Sequence, residues 1–223
     1  MGAYMVALYG SAARHENDAL SDQDVVVLAD QQVKVPFPQS EKLSVSKYSW
    51  EELQRMASYG SLFLWHLRRE ALPVEYNTAG YTAFRRILDG LGEYQFVERD
   101  VVAFRESVED VSGAVELGDT SFEFELASLA TVVRHASILG CYLIGSPQFG
   151  RYSSVEVFCR SRQLPSKIIS DFPAAYSYRM AIARDLPMPR TPTTQEMLMW
   201  IRFASRVVEE VSLCSRQPLP FAG

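Results

Sequence analysis

The apolar positions of this chain follow two rhythms. Through residue 77 they form short runs and alternations. Met5 to Tyr9 (MVALY) is one run and Val25 to Leu28 another. Residues 42–48 (KLSVSKY) alternate, with Ser44, Ser46 and Tyr48 on one face and Leu43, Val45 and Lys47 on the other. These stretches predict strands over 3–9, 23–29, 42–48 and 73–76. From Thr78 onward apolar residues recur at spacings of three and four, predicting helices over 81–91, 95–117, 122–143, 154–163, 167–183 and 194–215. The expected fold is α+β: a small mixed β-sheet domain over 1–77 and an all-α helical bundle over 78–223.

Helix starts carry local signals. Ser49 with Glu52 is a capping box, and Tyr48 with Leu53 fits the hydrophobic staple around it. That helix runs to about residue 70 on Trp50, Leu53, Met56, Phe63, Leu64 and Leu67, with a bend expected at Gly60. Thr120 with Glu123, Ser153 with Glu156 and Thr193 with Glu196 are further boxes of the same form, and Pro187, Pro189 and Pro192 stiffen the connector before the last helix.

The stretch with chemical content is Tyr9 to Leu28, YGSAARHENDALSDQDVVVL. A strand runs into a Gly10-Ser11 turn, a polar segment with a short helix over about 12–17 follows, and a second strand opens on Asp22-Gln23-Asp24. Alternation along a strand puts Asp22 and Asp24 on one face, roughly 6 to 7 Å apart, a pair suited to a divalent cation. Gly10 permits a tight turn and close approach of a ligand. Backbone amides there and the Ser11 hydroxyl can hold phosphate oxygens, and an anion would gain from the dipole of the short helix. Together these parts describe a site for a magnesium-bound triphosphate. A surface hairpin with solvated acids explains the aspartates but not the Gly-Ser turn at this distance.

The arrangement resembles the nucleotidyltransferase superfamily that includes DNA polymerase beta, and most closely its minimal, kanamycin-nucleotidyltransferase-like members. The resemblance rests on Gly10-Ser11, Ala13-Arg14, Ser21-Asp22-Gln23-Asp24 and the apolar run after them, and it extends over about residues 1–77. It implies transfer of a nucleoside monophosphate from a Mg²⁺-bound (or Mn²⁺-bound) NTP, with ATP as the expected nucleotide, to a hydroxyl acceptor, with release of pyrophosphate. Asp22 and Asp24 would be the catalytic metal ligands. Gly10, Ser11, Arg14 and Ser21 would contact the nucleotide. The acceptor stays open among a small molecule such as an aminoglycoside, a protein side chain and an RNA end. In this family the third strand carries a third carboxylate, and the matching position here is Ser44. Glu41 and Glu75 are the nearby acids that can substitute for it. Ser44 also supports a second expectation, a weakly active or inactive nucleotidyltransferase fold with a binding or regulatory role such as an antitoxin.

Composition narrows the partners. The 223 residues carry a net charge of −5, which argues against broad nucleic-acid binding and a template-directed polymerase. No apolar run approaches the ~20 residues of a bilayer span, and the chain opens on a strand, so a cytoplasmic protein with no membrane partner is expected. Cys141, Cys159 and Cys214 are far apart and form no Cys-x-x-Cys pair, so buried reduced thiols are expected rather than disulfides or structural zinc. A second copy of the chain or a toxin remains a candidate partner. Minimal nucleotidyltransferases often act with helical HEPN proteins, whose RNase members carry an arginine, a spacer of four to six residues and then a histidine. His15, His66 and His135 all lack that arginine, so an RNase of this type is not expected. In the helical half, Arg151 is a candidate phosphate contact and Tyr152 a candidate base-stacking ring, against the plainer reading of Phe149 to Ser153 as a helix-helix loop.

Overall fold

The computed structural model describes residues 2–14, 22–31, 43–118 and 120–217. They fall into two compact units, Met1–Gln95 and Phe96–Gly223.

In the first unit β1 (Tyr4–Tyr9), β2 (Gln23–Ala29), β3 (Leu43–Tyr48) and β4 (Leu72–Tyr76) form a sheet in the order β3-β2-β1-β4. β1 is antiparallel to β2 and β4, and β2 runs parallel to β3, so the sheet is mixed as expected. Alternation sorts its side chains onto two faces. Met5, Ala7, Val26 and Leu28 share a core with residues of α2 (Trp50–Ser58), α3 (Leu62–Glu70) and α4 (Thr78–Asp89), among them Leu53, Leu64, Leu67, Phe84 and Leu88. Val6, Val25 and Val27 belong to the other face, with Leu8, Leu43 and Val45 beside them.

The Ser49–Glu52 capping box forms, with both reciprocal bonds present. The single bent helix expected over 49–70 is two helices instead. Gly60 adopts a left-handed φ of 69° and ends the first, and the Ser61 hydroxyl caps the second by accepting from Phe63 N at 3.3 Å. The expected helix over 12–17 is found as α1 (Gly10–Ala13), and the stretch after Arg14 lies outside the described residues. Four residues make a single turn, so the expected dipole at its start is too small to count.

The sheet unit continues past the boundary expected after residue 77. Asn77 caps α4, its Oδ1 accepting from Gly80 N at 2.8 Å and from Tyr4 N at 3.3 Å while its Nδ2 donates to the Gly2 carbonyl at 2.9 Å. Helix α4 lies so close to β1 that a Cβ on Gly80 would stand 2.0 Å from the Tyr4 carbonyl oxygen. These contacts bind α4 to the first strand and make it part of the sheet unit.

The second unit contains α5 (Val97–Leu117), α6 (Phe122–Leu143), α7 (Ser153–Ser161), α8 (Ser166–Ala183) and α9 (Thr194–Cys214). Helix α6 contacts the other four and is apolar almost all round, the signature of a core helix. Its 22 residues include an 18-residue window of mean hydropathy 1.4, long and apolar enough to span a bilayer, contrary to the expectation that no run approaches that length. However, 72% of the apolar window is buried inside the protein. The Thr193–Glu196 box forms. The other two expected boxes do not. Helix α6 takes Ser121 as its cap, accepting from Phe124 N at 3.3 Å, while Thr120 donates to Glu125 at 2.6 Å. At α7 the backbone is already helical at Tyr152, which places Ser153 inside the first turn with no cap to make. All three cysteines are free and buried in this unit, and burial pushes the Cys159 thiol up to about 12.

Candidate functional site

The expected acid pair lies at the start of β2. Asp22 immediately precedes the strand, and Asp24 is its second residue. Both are half-buried, so each carboxylate keeps access to solvent. The ladder fixes the neighbours of Asp24, pairing it with Tyr9 of β1 on one side and with Ser44 of β3 on the other. Directly opposed residues project to the same face, so Tyr9, Asp24 and Ser44 form a row across three strands.

The turn follows directly from Tyr9. Gly10 has a φ of 69°, a conformation that disfavours a side chain, and a Cβ there would fall 2.7 Å from Asp24 Oδ2. Glycine therefore serves two purposes: it lets the chain reverse out of β1, and it lets the Asp24 carboxylate lie against the turn. The Gly-Ser turn and the second acid of the pair are brought together. Ser11 is half-buried in the same turn. Ser21 lies outside the described residues.

Arg14 is engaged with a carboxylate. Its Nη1 donates to Glu70 Oε2 at the end of α3, and His66 Nε2 donates to the same oxygen at 2.9 Å. Only 7% of the Glu70 side chain is exposed. Burial alone would raise its carboxyl, but the hydrogen bond and charge of His66 and the Arg14 guanidinium outweigh it and hold the group below the ordinary carboxylate range. Because the folded-state value is depressed, Glu70 stabilises the protein above the usual carboxylate pKa, and this contribution disappears as pH falls through the lowered folded value. The stability difference between wild type and Glu70→Gln should therefore be largest near neutrality and shrink in acid below about pH 4. Denaturant titrations across pH check this.

Tyr9 belongs to the same cluster. Its ring meets Phe63 and His66 edge-on at centroid distances of 5.6 and 5.5 Å, and its hydroxyl lies 3.4 Å from that of Ser46. Burial raises the Tyr9 phenol. The Ser46 hydrogen bond acts against this, and the nearby Asp24 charge adds to it. The phenol is neutral at physiological pH and available as a donor.

The substitutes considered for the third carboxylate fare differently. Glu75 pairs with Val6, on the opposite face from Asp24, and sits on the edge strand with β1 between it and β2. A one-residue change of parity turns a strand side chain away from the site, so Glu75 cannot join the pair. Glu41 lies outside the described residues. Among the described residues no group of three metal-binding side chains occurs. Asp22 and Asp24 offer carboxylate oxygens, the hard donors that magnesium takes, and a metal held there would need phosphate and water oxygens to fill its remaining positions.

In the helical unit Tyr152 packs edge-on to Phe172 and Tyr176 at 6.3 and 6.2 Å, and the Arg151 guanidinium lies 5.8 Å from the Tyr152 ring. The ring packs against these neighbours and is also exposed. A surface concavity of about 700 Å³ between α8 and α9 offers one carboxylate, Glu196, which is already tied to Arg190 and to its own helix cap. The chemistry thus favours the sheet edge over this hollow. No protein-family model and no curated protein matches the chain.

The sequence pattern marks none of Tyr9, Ser46, His66 and Glu70 as part of the site. The one local signal was the His66–Glu70 spacing of four on a helix. The Arg14–Glu70 pair spans 56 residues and leaves no mark in the pattern.

Proposed function

We propose that this protein is a nucleotidyltransferase resembling the minimal members of the DNA polymerase beta superfamily. It takes an NTP, ATP in the first instance, and transfers the nucleoside monophosphate to a hydroxyl acceptor. The acceptor oxygen bonds to the α phosphorus, the bond to the β phosphate breaks, and pyrophosphate leaves. The observation that carries this reading is the Asp24 carboxylate packed against the left-handed Gly10 turn.

Asp22 and Asp24 would hold the metal. Magnesium, or manganese in its place, supplies charge neutralisation on the polyphosphate when bound. The Gly10 and Ser11 turn holds the β and γ phosphates through amide hydrogens and the Ser11 hydroxyl. Tyr9, neutral and beside Asp24, closes the face of the site toward α3. The acceptor is a small molecule, a protein side chain or an RNA end. This reading assigns the protein to the cytoplasm, where NTP is plentiful. Calorimetric titration with ATP and magnesium tests it: saturable metal-dependent binding is expected, and no association with any NTP in magnesium or manganese would overturn it.

Ser44 favours a second reading, a nucleotide-binding fold that regulates a partner with little or no turnover. It occupies the ladder position beside Asp24 and is exposed. Two metals between three acids neutralise both the entering and the leaving oxygen, whereas two acids serve mainly the nucleotide side. Ser44→Asp should then raise metal-dependent pyrophosphate release above wild type. A wild type that already turns over, and that Ser44→Asp does not improve, supports the transferase.

A further inference from the structure

Both ends of the turn that lies against Asp24 are attached to one helix. At its entrance the Tyr9 ring packs edge-on against Phe63 and His66 of α3. At its exit Arg14, the residue that ends α1, is paired with Glu70, the last residue of α3. His66 and Arg14 converge on the same oxygen of Glu70, so one carboxylate gathers the two attachments. The turn itself spans four residues and contains a left-handed glycine, a conformation that local preferences do not enforce. Its position against Asp24 must be imposed from outside, and α3 is the described helix that grips both flanks. A surface ion pair would do little here, but the Glu70 side chain is largely shielded and doubly hydrogen-bonded, the case in which a charge pair fixes geometry.

We infer that Glu70 is a positioning residue for polyphosphate binding: through Arg14 and through His66 against Tyr9, it holds the Gly10–Ala13 turn where its amides and the Ser11 hydroxyl meet the β and γ phosphates beside Asp24. The inference rests on the nucleotide reading above and reassigns Arg14 from the phosphate to the scaffold. Removing the Glu70 charge lets the turn drift while leaving the acid pair intact. Small misplacements of this kind cost much in affinity, because the ligand must then order the site itself.

The test is binding of ATP and of AMP, each with magnesium, to wild type, Glu70→Gln and Arg14→Met, with circular dichroism to confirm the fold. AMP carries no β or γ phosphate and does not use the turn. Glu70→Gln should weaken ATP binding roughly 10- to 100-fold and leave AMP binding, read by competition, within about twofold of wild type. The Glu70→Gln and Arg14→Met losses should also fail to add in the double variant, since both break one link. Equal losses for ATP and AMP would mark a general structural role and overturn the inference, as would a Glu70→Gln protein that binds ATP like wild type. A wild type that binds no ATP with magnesium overturns the nucleotide reading and this inference with it, an outcome distinct from the other two. If Glu70→Gln fails to fold, the wild-type and Arg14→Met comparison decides by the same ATP-against-AMP criterion.

Discussion

Asp24→Asn is expected to lower magnesium-dependent pyrophosphate release by about a thousandfold or more, with little change in folding. Asparagine keeps the size of the side chain and one acceptor oxygen at the start of β2, so the ladder with Tyr9 and Ser44 should persist. The substitution removes the negative charge that lies against the Gly10 turn. Hard divalent cations bind through charge and oxygen count, and an amide oxygen is a weak replacement for a carboxylate. Calorimetry should show magnesium-dependent ATP binding reduced steeply in the variant, while residual metal-free binding through the turn is not weakened, since a negative charge beside it is gone. A variant that binds and turns over like wild type would remove the acid edge from the chemistry altogether.

The second large effect is on stability. Gly80→Val should cost at least about 3 kcal/mol, a large part of the margin by which an ordinary domain stays folded. A Cβ at this position would lie 2.0 Å from the Tyr4 carbonyl oxygen, which is strand backbone and cannot rotate aside. Either α4 lifts from β1, breaking the Asn77 bonds to Tyr4 and Gly2, or the first strand shifts against its neighbours. Amide exchange in β1 and β2 should accelerate strongly, while exchange in α6 should stay near the wild-type rate. Unchanged protection in β1 would show that the helix can move without loss.

The pattern of apolar residues made most of the secondary structure legible. Helix α6 was expected over 122–143 and occupies Phe122–Leu143, because its limits are set by a local cap and by continuous apolar periodicity. The single helix expected over 49–70 proved to be two because Gly60 takes a left-handed φ, which residue type permits but does not require. The Thr120 box was misread because Ser121 follows it and offers the same hydroxyl one residue nearer the helix. The reach of the sheet unit was hidden because it depends on Asn77 and Gly80 meeting Tyr4, a contact between residues more than 70 positions apart. At the candidate site, residue spacing brought Gly10 and Asp24 into one reading. It could not disclose that Arg14 is taken up by Glu70, since a salt bridge across that separation follows from the packing of α3 against the turn.

The cysteine distribution provides a natural probe. All three thiols lie in α6, α7 and α9, buried, and the sheet unit contains none. A thiolate is the species that alkylating reagents attack, and Cys159 holds its proton up to about pH 12 while folded. Reaction of native protein with such a reagent therefore reports openings of the helical half alone, and the half carrying Asp24 stays silent. Opening of the helical half can thus be followed by itself, with no engineered label.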